Sequence, residues 1–202
     1  MIRLRFPLFV LALLLLVFVA PADAHPGHYH PPEEVDEFAD EAFMVGLKHP
    51  FTGLDHLLAA LAVGALAVGM GRQQGSAMAG VFFAGLAFGY AAGYAGYAMP
   101  MLESGLALAV LALGVLMMFQ SENGMAWRLA VLAVIGIWNG SAHGMETANQ
   151  TYGIGLLSGT ALIAIIGATG AALVSLLSPQ APRFAGAAMA VAGLALAASR
   201  LM

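Results

Sequence analysis

Residues 152–177 have the sequence YGIGLLSGTALIAIIGATGAALVSLL, which contains no charged side chain. As a helix, this stretch is long enough to cross the hydrocarbon core of a bilayer, which requires about 20 apolar residues. The rest of the chain has the same character, since 61% of its 202 residues are hydrophobic and only 9% are charged. Soluble domains carry about 25% charged residues. The composition therefore predicts an integral membrane protein.

Five further apolar stretches of similar length lie on either side of this one along the chain. The predicted spans are residues 50–70, 76–98, 102–120, 126–144, 152–177 and 183–201. Because the connections between them are short, consecutive helices are expected to be antiparallel neighbours. The predicted fold class is all-α: a polytopic membrane protein whose six transmembrane helices form one domain, residues 49–202, after a cleaved signal peptide.

The signal peptide is predicted at residues 1–24, which have the three parts of an export signal. Arg3 and Arg5 make the start positive, residues 8–20 are apolar but short for a span, and residues 22–24 are a small-x-small cleavage site. Cleavage would leave residues 25–48, a His- and acid-rich segment, outside the cytoplasm. An uncleaved first helix is the alternative interpretation.

The basic residues predict the orientation of the spans, because cytoplasmic loops are enriched in Lys and Arg. If the N-terminus is exported, the loops that contain Arg72, Arg128 and Arg183 all lie on the cytoplasmic side. Lys48 and Arg200 are exceptions to this pattern. The mature N-terminus and the C-terminus are then both periplasmic, in a bacterial inner membrane. There is no basic patch of the kind that binds nucleic acid.

The first span begins with a polar group, residues 49–56, HPFTGLDH. Asp55 and His56 fall inside the span, where ionisable groups are costly and usually functional. Pro50 suits the first position of a helix and disfavours helical geometry at His49, which is expected just before the helix at its outer mouth. His56 is expected about six residues deeper, roughly 9 Å away. Asp55 could ligate a metal or hold the second ring nitrogen of His56.

A second polar group, residues 139–146, NGSAHGME, lies near the end of the fourth span. Asn139, His143 and Glu146 share one helical face if the helix continues past Gly144. This span runs towards the outer side, so its last turn reaches the depth at which the first span begins. The agreement predicts one shared metal site; the alternative is that these groups only hydrogen-bond the helices together.

The ligand types limit which ion such a site could bind. The chain has no cysteine, which excludes thiolate ligands. Imidazole and carboxylate suit nickel, cobalt, zinc and copper(II), so ligand type does not select among them. In the exported segment, His25, His28 and His30 are either a capture site for the same ion or part of a solvated tail.

The second span carries two repeated patterns that allow a structural interpretation. Its glycines recur every fourth residue, which lets helix backbones approach closely; packing is favoured here over a flexible transport path. Its tyrosines are interpreted as an interfacial aromatic belt rather than as ligands. The residues concerned are Gly85, Gly89 and Gly93, and Tyr90, Tyr94 and Tyr97.

Residues 49–64, HPFTGLDHLLAALAVG, resemble the signature of the hydrogenase and urease accessory membrane proteins, the HupE/UreJ family. Residues 139–146 resemble the second signature of that family. The resemblance implies a nickel or cobalt permease that serves metalloenzymes such as nickel-iron hydrogenase or urease. It also implies metal-handling roles for His49, Asp55, His56, His143 and Glu146.

The predicted function is an inner-membrane permease, not an enzyme, that moves a divalent transition metal ion into the cytoplasm. Nickel or cobalt is expected as the transported ion, with zinc or copper as alternatives. The alternatives to a permease are an intramembrane metal-dependent hydrolase and a metal-binding accessory or sensor protein without transport. Neither an HExxH nor a GxSxG sequence supports the hydrolase. The oligomeric state, including a homo-oligomer, stays open.

Overall fold

The computed structural model of the protein describes residues 39–97, 99–119, 124–147 and 149–200. Within these ranges every regular element is an α-helix, as the sequence predicted. The helices are α1 (Ala39–Thr52), α2 (Leu54–Gly69), α3 (Gly71–Tyr94), α4 (Leu102–Met118), α5 (Met125–Glu146), α6 (Gln150–Leu177) and α7 (Ala181–Ser199). The predicted signal peptide and most of the exported segment lie outside the described residues.

Four of the helices, α3, α5, α6 and α7, are each long and apolar enough to cross a membrane. They correspond to the predicted spans 76–98, 126–144, 152–177 and 183–201. The other two predicted spans look different. The first is a pair of helices, α1 and α2, bent by 84°, and would be a fifth span if the pair is counted as one. The third is α4, whose 17 residues are at the short limit for a span.

The break between α1 and α2 corrects the expectation that Pro50 begins the first span. Pro50 and His49 both lie within α1, which ends two residues later at Thr52. A proline so close to a helix end disrupts little of the helix that follows it. The Thr52 hydroxyl donates to the carbonyl oxygen of His49 at 2.8 Å, which satisfies one of the free carbonyl groups of the last turn. Gly53 is then extended, and α2 starts afresh from Leu54.

The closest packing joins helices that are not consecutive in the chain: α3 with α5, α4 with α7, and both α1 and α2 with α6. Several consecutive helices are also in contact, as expected, but these contacts are fewer than those of the non-consecutive pairs. The largest buried core lies among α2, α3, α4 and α5. Its members include Leu66, Phe82, Leu113 and Leu132, none more than 2% exposed.

Stripes of glycine residues explain why these pairs of helices pack together. The stripe on α3 faces a matching stripe on α5, and a Cβ added at any of these positions would collide with the backbone of the other helix. Such contacts let two helix backbones touch, which replaces the hydrophobic driving force that is absent in lipid. The packing interpretation of the glycines is confirmed. The facing residues are Gly85, Gly89 and Gly93 on α3, and Gly136, Gly140 and Gly144 on α5.

One end of the bundle, here called the site end, holds the start of α2, the start of α4 and the ends of α5 and α7. Arg200, directly after α7, donates to the carboxylate of Asp55 at 2.7 Å and to the carbonyl oxygen of Glu103. Ser141 of α5 accepts from the backbone of Met99 at 3.1 Å and donates to that of Tyr97 at 3.3 Å. These bonds tie the ends of four helices together.

The opposite end of the bundle is held by one buried guanidinium. Arg128, near the start of α5, is 2% exposed. It donates to the carbonyl oxygen of Phe119, directly after α4, and to the sulfur of Met70, directly after α2, at 3.3 Å. Because α2 and α4 each begin at the site end and finish here, both helices traverse the full height of the bundle.

Candidate metal centre

Three imidazole rings meet at the site end of the bundle. His49 lies in the last turn of α1, His56 in the first turn of α2, and His143 in the last turn of α5. The ring centroids are 5.6 Å apart for His49 and His56, 4.6 Å for His49 and His143, and 4.4 Å for His56 and His143. One nitrogen of each ring lies within 4.8 Å of the others. The sequence expectation of a shared location for the two polar groups thus has a definite geometry.

The bend between α1 and α2 is what brings the first two rings together. In one straight helix, His49 and His56 would be separated by two turns, about 10 Å along the axis. The 84° bend at Gly53 folds α1 back so that their rings are 5.6 Å apart. Imidazole ligands bind zinc at about 2.0–2.1 Å, which places them about 3.4 Å apart around a tetrahedral ion. Small side-chain rotations would therefore close these rings on one ion.

His143 is the most buried of the three, with its residue only 2% exposed. The helix does continue past Gly144, so that Glu146 follows His143 by three residues on the same face. One oxygen, Oε2 of Glu146, is 3.3 Å from Nδ1 of His143 and 3.8 Å from Nε2 of His49. A carboxylate in this position can orient the His143 ring by a hydrogen bond and attract the His49 ring electrostatically, or it can join both as a ligand.

Asn139 lies one turn deeper than His143 on α5 and is 5% exposed. Its amide nitrogen donates to the carbonyl oxygen of Ile135 at 2.9 Å, and its side chain lies beside that of His56. The Nδ1 atom of His56 is buried and has no hydrogen-bond partner within the described ranges. A buried polar atom without a partner is costly, and a bound ion would satisfy it.

Asp55 is placed beside the three rings but is engaged elsewhere. Its Oδ1 accepts from the backbone nitrogen of His56 at 2.9 Å and lies 3.8 Å from Nδ1 of that ring, which is too far for a hydrogen bond. Its Oδ2 is held by Arg200 at 2.7 Å. Sequence reasoning noted Arg200 only as an exception to the charge pattern, and no local motif connects residues 145 positions apart.

A tyrosine that sequence reasoning did not identify also borders the site. The Tyr152 ring is 5.9 Å from that of His49 and stacks on Tyr90 at 6.4 Å. Both tyrosines are buried, whereas Tyr94 and Tyr97 are exposed. The aromatic-belt interpretation was therefore wrong for Tyr90, because the ring of Tyr90 packs inside the bundle. No sequence signal distinguished Tyr152 from an ordinary apolar residue of its span.

The remaining predicted ligands, His25, His28 and His30, lie outside the described residues. The residues that the structure brings together are thus His49, His56 and His143, with Glu146 and Asn139 in contact and Asp55 adjacent. Imidazole nitrogens and a carboxylate, without thiolate, form a donor set for a divalent transition metal ion.

Fold and site together define an all-helical membrane protein with a three-histidine candidate metal centre at one end of its bundle. Residues 13–196 match the family model described as HupE / UreJ protein. The chain is also 35% identical over 158 residues to Protein HupE of Rhizobium leguminosarum bv. viciae, which covers 76% of this chain and 83% of that protein. No solved structure matches it. The chain belongs to the HupE/UreJ family, which confirms the resemblance seen in its two signatures.

Proposed function

We propose that this protein is a permease that carries divalent nickel or cobalt across a bacterial inner membrane into the cytoplasm. The observation that supports it is the convergence of His49, His56 and His143 from three helices on one point of a membrane protein. Ionisable groups within the helices of a membrane protein are costly and mark ion pathways. The family resemblance adds the destination, which is the maturation of hydrogenase or urease, and favours nickel or cobalt over zinc or copper.

Six membrane crossings fit the way in which the two ends of the bundle are built. Although α4 is short and α2 is bent away from α1, Arg200 and Arg128 bind their opposite ends, so each traverses the bundle. Arg72, Arg128 and Arg183 all lie near the starts of helices at the opposite end. The positive-inside rule then makes that end cytoplasmic and the site end periplasmic.

Arg200 is the exception to this pattern, because it lies at the periplasmic end, where its charge is paired with Asp55. The N-terminal segment, exported after cleavage at residue 24, would lead directly into α1 and the site. His25, His28 and His30 would then collect ions on the periplasmic side.

In the proposed mechanism, an ion loses water at the periplasmic mouth and is bound by the three imidazoles with Glu146. Release requires that these ligands separate. The break at Gly53 lies between His49 and His56, so a change in the α1–α2 angle would alter their distance directly. Discontinuous helices at ion sites are a common feature of secondary transporters. Protonation of an imidazole would also favour release.

The energy source does not involve ATP bound to this chain, because no GxxxxGK loop is present in the sequence. Transport is then either passive or driven by the membrane potential, which contributes about 2.3 kcal/mol per charge per 100 mV. A divalent ion gains twice that amount, and this suffices for strong accumulation without a second substrate.

The proposal is tested by uptake of radioactive nickel into cells that express single variants. His56→Ala and His143→Ala should each reduce uptake to the level of cells without the protein, while the amount inserted in the membrane is unchanged. Gln73→Ala is the matched control, because it also truncates a polar side chain but lies exposed at the opposite end. Normal uptake by both histidine variants would refute the proposal.

One observation favours a hydrolase as the second candidate. Three histidines with a fourth position open to water form the ligand set of some catalytic zinc sites. Stoichiometric, tightly bound zinc in the purified protein, together with cleavage of a lipid or amide substrate that is lost in His143→Ala, would favour this alternative. A protein that binds nickel but does not admit it to liposomes would instead be an accessory protein or sensor.

A further inference from the structure

Arg200 is fixed from two sides at the edge of the candidate metal centre. Its Nη2 donates to Oδ2 of Asp55 at 2.7 Å, and its Nη1 donates to the carbonyl oxygen of Glu103 in the first turn of α4. Charge-assisted hydrogen bonds of this kind are short and about twice as strong as neutral ones. The Asp55 side chain is only 9% exposed and that of Arg200 24%, so water screens the pair weakly.

The carboxylate that Arg200 holds also lies near an unpartnered ring nitrogen of the metal centre. Oδ1 of Asp55 is 3.8 Å from Nδ1 of His56, and that nitrogen has no hydrogen-bond partner in the described part of the chain. An ion bound at this nitrogen would approach the carboxylate as well. Arg200 and such an ion would then compete for the same negative charge.

We propose that Arg200 is a positioning residue that competes with the transported ion for Asp55. Arg200 holds the carboxylate until an ion binds at His56. When an ion is bound, Asp55 turns to it, and the return of Arg200 to Asp55 weakens the hold on the ion and promotes its release. This inference rests on the proposed permease function and adds to it the residue that keeps binding reversible.

The physical reason is that a transported ion must bind well enough to enter and weakly enough to leave. Three imidazoles and two carboxylates, all available at once, would hold a divalent ion tightly in a buried site, where charges interact strongly. A tethered guanidinium that reclaims one carboxylate lowers this affinity without removing a ligand. A purely structural clamp between α7, α4 and α2 would have the opposite signature, since its loss would loosen the site.

The test measures Ni²⁺ binding to the purified full-length protein by calorimetry, and Ni²⁺ uptake by liposomes that contain it. Arg200→Gln should lower the Kd and the KM for Ni²⁺ about tenfold, the scale on which site carboxylates change metal affinity. Its maximal uptake rate should fall, because release becomes slow. Arg200→Lys keeps the charge and should stay close to the unchanged protein. Arg183→Gln, at the opposite end, is the matched control.

The double variant Asp55→Asn with Arg200→Gln separates competition from other effects of the lost guanidinium. Without a carboxylate to compete for, the tenfold tightening should disappear. A Kd for Arg200→Gln that is unchanged or weaker overturns the inference alone, because the proposed permease still stands if the unchanged protein binds and admits Ni²⁺. Failure of the unchanged protein to bind Ni²⁺ overturns the permease proposal, and the inference with it.

Because removal of one partner from a buried ion pair can prevent folding, a second measurement leaves Arg200 in place. The chain contains no cysteine, so Ser199→Cys provides a single attachment point for a fluorophore beside Arg200 on an exposed position. Saturating Ni²⁺ should change the emission of this label as Asp55 leaves Arg200. The same label in the Asp55→Asn variant should not respond. An unresponsive label in the otherwise unchanged protein overturns the competition.

Discussion

Replacement of Glu146 by Gln isolates the contribution of one carboxylate to the metal centre. The substitution keeps the shape of the side chain and one acceptor oxygen but removes the charge. In the structure Oε2 of Glu146 is 3.3 Å from His143 and 3.8 Å from His49, so it acts on two of the three rings at once. We expect a weaker affinity for Ni²⁺ without loss of the fold, because the other contacts of α5 are unchanged.

The magnitude follows from the exposure and the distance of this carboxylate. Groups that orient metal-binding histidines are worth about 10–100-fold in affinity. The Glu146 side chain is 47% exposed, so water screens its charge, and 3.3 Å is a long hydrogen bond. Both features place the expected loss of Ni²⁺ affinity at the lower limit of this range. The Kd for Ni²⁺ should therefore rise about tenfold, which corresponds to about 1.4 kcal/mol.

The assay is calorimetric titration of Ni²⁺ into purified protein at neutral pH. Glu41→Gln is the matched control, because it is the same substitution at an exposed carboxylate in the first turn of α1, away from the rings. His143→Ala should weaken binding more than Glu146→Gln, since it removes a ring from the centre. Equal losses in Glu41→Gln and Glu146→Gln, or no loss in either, would refute the assigned role of Glu146.

Three further predictions address packing, pH and the opposite end of the bundle. Gly140→Leu should lower the free energy of unfolding by about 3 kcal/mol, because the new side chain would collide with the backbone of α3. Gly170→Leu is the control and should have no such effect, because Gly170 has open space around it. Thermal unfolding in detergent measures both variants. Ni²⁺ affinity should fall at least about tenfold from pH 7.5 to pH 3.5, since imidazoles must lose their protons to bind metal, and a flat pH profile over this whole range would contradict histidine ligation. Arg128→Gln should lower the free energy of unfolding by about 1–3 kcal/mol, because the bonds to Phe119 and Met70 are lost. The Kd for Ni²⁺ should stay unchanged, and a changed Kd would show that the opposite end of the bundle is coupled to the metal centre.

The sequence was sufficient to predict the helical class and the positions of the apolar segments, because hydropathy is a property of each segment by itself. It also predicted that the two polar groups lie at the same end, since helix direction alternates along the chain. The helix ends in the structure differ by a few residues from the predicted spans. These are the features that need no knowledge of which helices touch.

The parts that sequence reasoning missed depend on tertiary contacts. A proline such as Pro50 can stand at the start of a helix or near the end of one, so local sequence does not distinguish the two positions. In the structure Pro50 lies near the end of α1, which packs against α6. The pairing of Arg200 with Asp55 links residues that are distant along the chain. The position of Tyr152 beside His49 likewise follows from how α6 lies on α1. No periodic pattern records such contacts.

The most direct test of the account is Ni²⁺ entry into liposomes that contain this protein alone, with a metal-sensitive dye inside. Entry should saturate with Ni²⁺ concentration, increase when the interior is made negative, and be abolished when His49, His56 and His143 are together replaced by Ala. Entry at the rate of protein-free liposomes, from protein that binds Ni²⁺ in solution, would contradict transport. Equal entry with the triple variant would contradict the three-histidine centre.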